Sequence, residues 1–284
     1  MELASLEIRL ARSENLPVLP QAVSSVLKLS DDPNASPRDL EKVIERDPAI
    51  TAKILRVANS SFYGGNRIPT IGRAISFLGM NAVRSLVVGV AFQQMINGRS
   101  GNSQFDKVAY WKHSLAVATA CRIFGKIVMP TRAEELYCIG MMHDIGKLIL
   151  DRFMPEVYDV VLSEARAFNL PLHKVEMEKL GFDHAEVGGL LAKKWGLGTM
   201  AIHAVKFHHN PVEDGEYFET TSIVSIANDL AHQAGFDNGM PGVEYEVDQE
   251  VFATLGLPLE QLKIIGDVMS QEVAKAQDAF KINV

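Results

Sequence analysis

The chain has 284 residues, of which 47% are hydrophobic and 22% charged, with a formal net charge of −7. This is the balance of a globular protein with one large domain or two small ones, and the acidic excess argues against a general nucleic-acid binder, which would carry a basic face. No apolar run approaches the ~20 residues that cross a bilayer, and MELASLEIRLARSEN at the start has no signal-peptide pattern, so a soluble cytoplasmic protein is expected. Cys121 and Cys138, in apolar helical surroundings without metal-type spacing, read as reduced, buried thiols.

Helix signals recur along the chain and strand alternation does not, which predicts an all-α fold. In SPRDLEKVIERD, Ser36 is the expected N-cap, with Pro37 at the first helical position and Asp39 in the first turn. Asp47 caps the next helix, and in RVANSSFYGGNRIP, Asn59, Ser60, Ser61 and two glycines read as its C-cap and turn, or as a loop shaping a cleft. TIGRAISFLG repeats the pattern between Thr70 and Gly79, and Asn81 opens another helix. The polar stretch NGRSGNSQ, residues 97–104, reads as a linker. Further helices are expected at roughly 105–127, 132–153, 155–168, 184–195, 199–209 and 220–234. Thr131 and Glu134 offer a capping box at the second of these. Residues 235–249 read as a glycine-rich acidic loop before one or two closing helices.

Chemistry points first to LYCIGMMHDIGKLIL. A segment apolar on nearly every side belongs at the centre of a bundle, and a charge buried there needs a partner. On a continuous helix His143 shares a stripe with Leu136 and Ile139 while Asp144 points about 100° away, so both could reach one ion lying between them. In the alternative, Lys147 neutralises Asp144 and His143 bonds a backbone carbonyl. His113 lies in the apolar AYWKHSLAVATA, and His184 follows Asp183, which with Glu186 forms a capping pair. A first-turn histidine is favoured neutral, the form that binds metal, although an exposed polar residue fits there equally. His208 and His209 end a helix, where the dipole suits them without any ligand role. His173 and His203 receive no role. A pocket gathering His113, His143, Asp144, His184 and His208 suits iron, manganese or zinc, as one or two divalent ions, and could activate water for phosphoester hydrolysis. Spacing alone does not bring these residues together.

The stretches LPVLPQAVSSVLKLSDDP, LEKVIERDPAITAKILRVANSSFYG, IGRAISFLGMNAVRSLVVG, YWKHSLAVATA, GMMHDIGKLIL, LGFDHAEVGGLLAKKWGLG and AVKFHHNP resemble, in order and over roughly residues 12–212, the HDOD family, a relative of the HD-domain metal-dependent phosphohydrolases. The resemblance implies an N-terminal helical half at 1–98, packed on an HD-like bundle at 105–234 that carries the metal site, with 235–284 as the acidic loop and closing helices. It implies metal ligands at His113, His143, Asp144, His184 and His208, with His209 and Lys147 as alternative or supporting groups. The family's late aspartate falls on Asn228 in IVSIANDLAH, with Asp229 one place on. An amide is a weaker, neutral ligand, and one helical step turns a side chain by about 100°. HHNPVEDGEYF also lacks the GYP-type motif of cyclic-di-GMP phosphodiesterases.

The resemblance therefore implies a bacterial signal-transduction module that keeps a metal site and works through a protein partner or a small phosphorylated ligand. With no receiver, sensor or cyclase segment in the sequence, input is expected from outside the chain. The second reading is a metal-dependent phosphohydrolase with Asp144 at its catalytic centre. DNA binding through Arg38, Lys42, Arg46, Lys53 and Arg56 is disfavoured, because acids interleave those bases.

Overall fold

The computed structural model describes residues 21–30, 34–60, 63–96, 104–240, 243 and 245–280, and its regular structure is helical throughout. Of the linker expected at 97–104, all but Gln104 lies outside the described set, as do the first twenty residues. Among the described residues five helices precede residue 97: α1 (Gln21–Ser30), α2 (Pro37–Glu45), α3 (Pro48–Ala58), α4 (Ile71–Leu78) and α5 (Met80–Ile96). Local capping explains their starts. Ser36 and Asp39 form a reciprocal capping box on α2, the Asp47 carboxylate accepts from two amides at the head of α3, and Thr70 accepts from the Arg73 amide at α4. Asn59 closes the loop after α3 from both sides. Its amide donates to the carbonyls of Leu55 and Ile68, and its oxygen accepts from the Ile68 amide at 2.6 Å.

The second group is built around α6 (Lys107–Val128), whose start is capped by Asp106. After a 3-10 turn at Pro130–Arg132 come α7 (Ala133–Met142), α8 (Ile145–Phe153), α9 (Pro155–Phe168), α10 (Leu172–Leu180), α11 (His184–Lys194) and α12 (Thr199–Phe207). A second 3-10 turn at Pro211–Glu213 leads to α13 (Phe218–Gln233), α14 (Gln249–Ala253) and α15 (Glu260–Phe280). The long apolar α6 packs against α7, α13 and α15, while α11 lies between α8 and α12. α5 crosses onto α7, so buried side chains from Val23 to Ala276 form one continuous core.

Three local expectations are corrected. The helix expected over 132–153 is two helices, because Asp144 at φ −94°, ψ 12° leaves helical geometry between Met142 and Ile145. Thr131 and Glu134 form no capping box; Pro130 starts a 3-10 turn there, and the Glu134 carboxylate accepts from the Ser85 hydroxyl at 2.7 Å. Residues 172–180, where no helix is expected, form α10, which has no side-chain cap and begins behind Pro171. Residues 235–249 hold no helix before Gln249 among those described, yet Phe236–Met240 turn inwards against the bundle.

Candidate metal centre

The break between α7 and α8 places its two residues on the same centre. A continuous helix would have turned Asp144 away from His143; instead both face the interior, with His113 from α6, His184 from the first turn of α11 and His208 from the end of α12. All five are between 0% and 1% exposed, Asn228 of α13 is 2% and Lys147 of α8 is 4%, so water reaches none of them freely. The α8–α11 approach that brings Asp144 to His184 depends on Gly146. A Cβ there would lie 1.9 Å from the His184 carbonyl oxygen and 2.8 Å from the Gly188 nitrogen.

Four imidazoles are oriented alike. Nδ1–H of His113 donates to the Phe236 carbonyl at 2.8 Å, that of His143 to Gly140 at 2.7 Å and that of His208 to Val205 at 2.7 Å. Nδ1 of His184 donates to Glu176 Oε2 at 2.5 Å. Glu176 is itself fully buried, and it also accepts from the His184 amide and the Tyr158 hydroxyl. Backbone and carboxylate acceptors behind an imidazole are what fix the tautomer of a metal-ligating histidine and turn Nε2 inwards as a lone pair.

Those Nε2 atoms converge, and on His113 and His208, which are neutral near pH 7, they are lone pairs. Nε2 of His113 lies 3.3 Å from Nε2 of His143 and 3.1 Å from Asn228 Oδ1. Burial holds the His113 imidazole down at about 3 and His208 at about 4, so both are neutral near pH 7. Asp144 Oδ1 is 3.0 Å from His184 Nε2 and 3.6 Å from His208 Nε2. Neither that oxygen nor His208 Nε2 has a hydrogen-bond partner of good geometry, although both are buried. Complete burial opposes charge on Asp144, but His143, Lys147 and His184 outweigh it and hold its carboxyl well below the carboxylate range. Burial likewise opposes charge on His184, and the Glu176 and Asp144 carboxylates overcome it to lift the imidazole to about 9.

Acceptors pressed together around an ionised carboxylate fit a divalent cation bound by nitrogen and oxygen. Two sets of such atoms, each mutually within 4.8 Å, share Asp144: His184, His208 and His209 on one side, His113 and His143 on the other. Lys147 and His143 also make the contacts of the alternative reading. Nζ of Lys147 donates to Asp144 Oδ2 at 2.6 Å, and His143 bonds a carbonyl, but neither contact satisfies the remaining lone pairs.

The other sequence candidates separate. Asn228 faces His113, whereas Asp229 turns aside, partly buried, with its carboxyl pushed up to about 7 by desolvation. His209, partly buried, reaches His184 at 2.9 Å and stacks on His173 with ring centroids 4.0 Å apart. His203 pairs with Asp214 at 2.8 Å. Two residues close to the centre were not anticipated: Glu176, and Asn238, whose side-chain amide donates to Asp144 Oδ2 at 2.7 Å. Glu176 lay in a segment not read as a helix, and Asn238 carried only the turn signal of Asp-Asn-Gly.

An all-helical bundle with a buried histidine–aspartate centre defines the class as HD-like. Residues 16–211 match the HDOD domain, and the chain belongs to that family. An uncharacterized protein of Treponema pallidum (strain Nichols) is 26% identical over 225 residues, covering 76% of this chain and 42% of its own length. Among solved structures, a candidate signal transduction protein from Marinobacter aquaeolei VT8 superposes with TM-score 0.79 at 22% identity, over 99% of this chain and 61% of that one. An HDOD domain protein with unknown function from Geobacter sulfurreducens superposes at 0.77 with 20% identity, over 97% and 96% of the two chains. The chain thus spans less than two thirds of the Treponema and Marinobacter proteins.

Proposed function

We propose that the protein is a signalling output module of the HDOD type. Its buried centre holds a divalent ion of the iron, manganese or zinc kind, and its output passes through contacts with a protein partner or a small phosphorylated ligand. Family membership supports the signalling role, and the four inward-facing Nε2 atoms around an ionised Asp144 support the ion. The observation that carries the reading against turnover is closure. The carboxylate and its four histidines are no more than 1% exposed, and Lys147 and Asn238 cover Asp144 Oδ2, leaving no face of the carboxylate open to a phosphate ester.

Phosphohydrolysis is the second reading, favoured by one feature. Asp144 stands between two donor sets, as a carboxylate shared by two ions would. Elemental analysis of the protein purified without added metal, beside Asp144→Ala, tests the ion; bis(p-nitrophenyl) phosphate tests hydrolysis. The expected result is metal in the native chain, its loss in the variant, and no release of nitrophenolate by either. Absence of metal from the native chain sinks the reading, and metal-dependent nitrophenolate release replaces it with the second.

A further inference from the structure

The turn after α13 carries two contacts into the centre, and the ion proposed above accounts for only one. Phe236 offers its carbonyl to His113, which orients that imidazole. Two residues on, Asn238 is 6% exposed, and its Nδ2 lies 2.7 Å from Asp144 Oδ2. The other end of the same amide, Oδ1, is buried with no hydrogen-bond partner among the described residues.

The backbone is arranged to keep this side chain in place. Asn238 sits at φ 57° in the left-handed region, which asparagine tolerates better than most residues. Asp237 closes the turn through two bonds, its side chain accepting from the Gly239 amide and its carbonyl from the Met240 amide. Arg166 of α9 donates to the Gly239 carbonyl at 3.0 Å and to the Gln104 carbonyl at 2.9 Å, tying the turn to the wall of the bundle. Met240, 2% exposed, anchors it in the core. An exposed spacer would need none of this.

Asp144 Oδ2 takes two donors, Lys147 Nζ at 2.6 Å and Asn238 Nδ2 at 2.7 Å. A ligating carboxylate keeps such a bond readily, but the Asn238 amide can itself face a cation among Oδ2, His113, His143 and Asn228 only through its oxygen. Turning the Asn238 amide about its last bond exchanges its two ends within nearly the same volume. That places Oδ1 where Nδ2 was, beside the carboxylate oxygen that would ligate the ion. In the present orientation Oδ1 is the end left buried without a partner among the described residues. On the side built by His113 and His143, Asp144 Oδ2 and Asn228 Oδ1 lie 3.6 Å and 3.1 Å from His113 Nε2, and Asn238 Oδ1 would add a third oxygen.

We infer that Asn238 is an oxygen ligand of the bound ion, its amide turning from donor to Asp144 in the metal-free protein to donor of an oxygen lone pair in the loaded one. This rests on the proposal that the centre binds metal.

The test is manganese(II) alone, titrated into chelator-stripped protein, with affinity read by calorimetry and by the free-ion paramagnetic resonance signal. Asn238→Ala is expected to weaken binding by about 10- to 100-fold. Asn238→Asp discriminates, because a carboxylate supplies oxygen and no N–H. It should bind manganese at least as tightly as the native chain and far more tightly than Asn238→Ala. Melting in chelator shows whether each variant is folded before loading. If either variant does not fold, Asn238→Ser, which keeps an oxygen on a shorter arm, should fall between the native chain and the alanine-like loss. Native affinity in Asn238→Ala, or Asn238→Asp weaker than alanine, overturns the assignment while leaving the metal centre standing. No manganese binding by the native chain overturns both.

Discussion

His184 is the clearest case of one side chain set by another. Its Nδ1 and its own backbone amide both end on the Glu176 carboxylate, which also takes the Tyr158 hydroxyl. Removing that carboxylate as Glu176→Ala leaves three buried donors unsatisfied and the ring free to turn. Metal affinity is expected to fall about 10- to 100-fold, as for other partners that orient ligating histidines. Glu176→Gln keeps an acceptor but not the charge, so it should retain most of the affinity while His184 titrates below the value of about 9 seen with the carboxylate in place. Manganese titration reads the first effect and histidine ring NMR on the metal-free variants the second, and an unchanged titration in the glutamine variant defeats the account.

His113 and His208 contribute to the acid side of stability, beside His173, His209 and His232, whose imidazoles burial also holds low. The His113 and His208 imidazoles titrate near 3 and 4 in the fold because burial penalises the charged form, against about 6.5 in an unfolded chain. Between those values the unfolded state binds more protons, so their contribution is complete above pH 6.5 and is lost as the pH falls towards 4. The denaturation midpoint of the metal-free protein should therefore drop between pH 7 and pH 5, and His113→Gln should flatten that drop. A midpoint indifferent to pH over this range contradicts it.

At the scale of elements, helix starts were legible wherever the signal was local. Ser36, Asp47, Thr70 and Asp183 each cap the helix expected of them, because a side-chain oxygen two or three residues from a free amide needs no distant partner. Thr131 failed because Pro130 and a tertiary partner, Ser85, took over both ends of the anticipated box. The break at His143-Asp144 carries neither glycine nor proline, and a run of apolar residues on both sides reads as one helix. What ends α7 there is the packing of α8 onto α11, and that contact is written in Gly146 and Gly188. Gly146→Ala sets a methyl group against backbone atoms of another helix, which must move apart. The expected loss is about 1–3 kcal/mol or more of stability, together with weakened metal binding through the displaced His184. Gly215→Ala, exposed and with nothing within 4 Å of its Cβ, is the matched control and should be neutral or slightly stabilising. Equal melting temperatures for the two would remove Gly146 from the argument.

For the whole molecule, the all-helical class and the residues of the centre could be read from periodicity and from family resemblance, but how the distant segments lock together could not. Glu176 looks like an acid of a connecting segment, and Asn238 like a turn residue, until the fold encloses them. The same holds for Arg122, nine positions after His113 on α6 and 8% exposed. Its guanidinium donates to Glu272 of α15 at 2.8 Å, lies 5.1 Å from the centre of the Tyr137 ring on α7, and adjoins the Tyr63 hydroxyl from the loop after α3. One buried cation thus joins the first helices, the bundle and the C-terminal helix, although the HDOD match ends at residue 211. Breaking a buried pair leaves its less solvated member uncompensated, and the Arg122 side chain is 9% exposed against 30% for Glu272. Glu272→Gln should therefore destabilise the fold, and combining it with Arg122→Met should cost less than the sum of the two. A coupling energy of about 1 kcal/mol or more is expected from that cycle. If residues 1–98, 105–234 and 235–284 unfold together because of this junction, Glu272→Gln lowers the midpoint of a single transition. An early separate transition confined to the C-terminal helix would show instead that α15 is an appendage and that Arg122 unites only the other two parts.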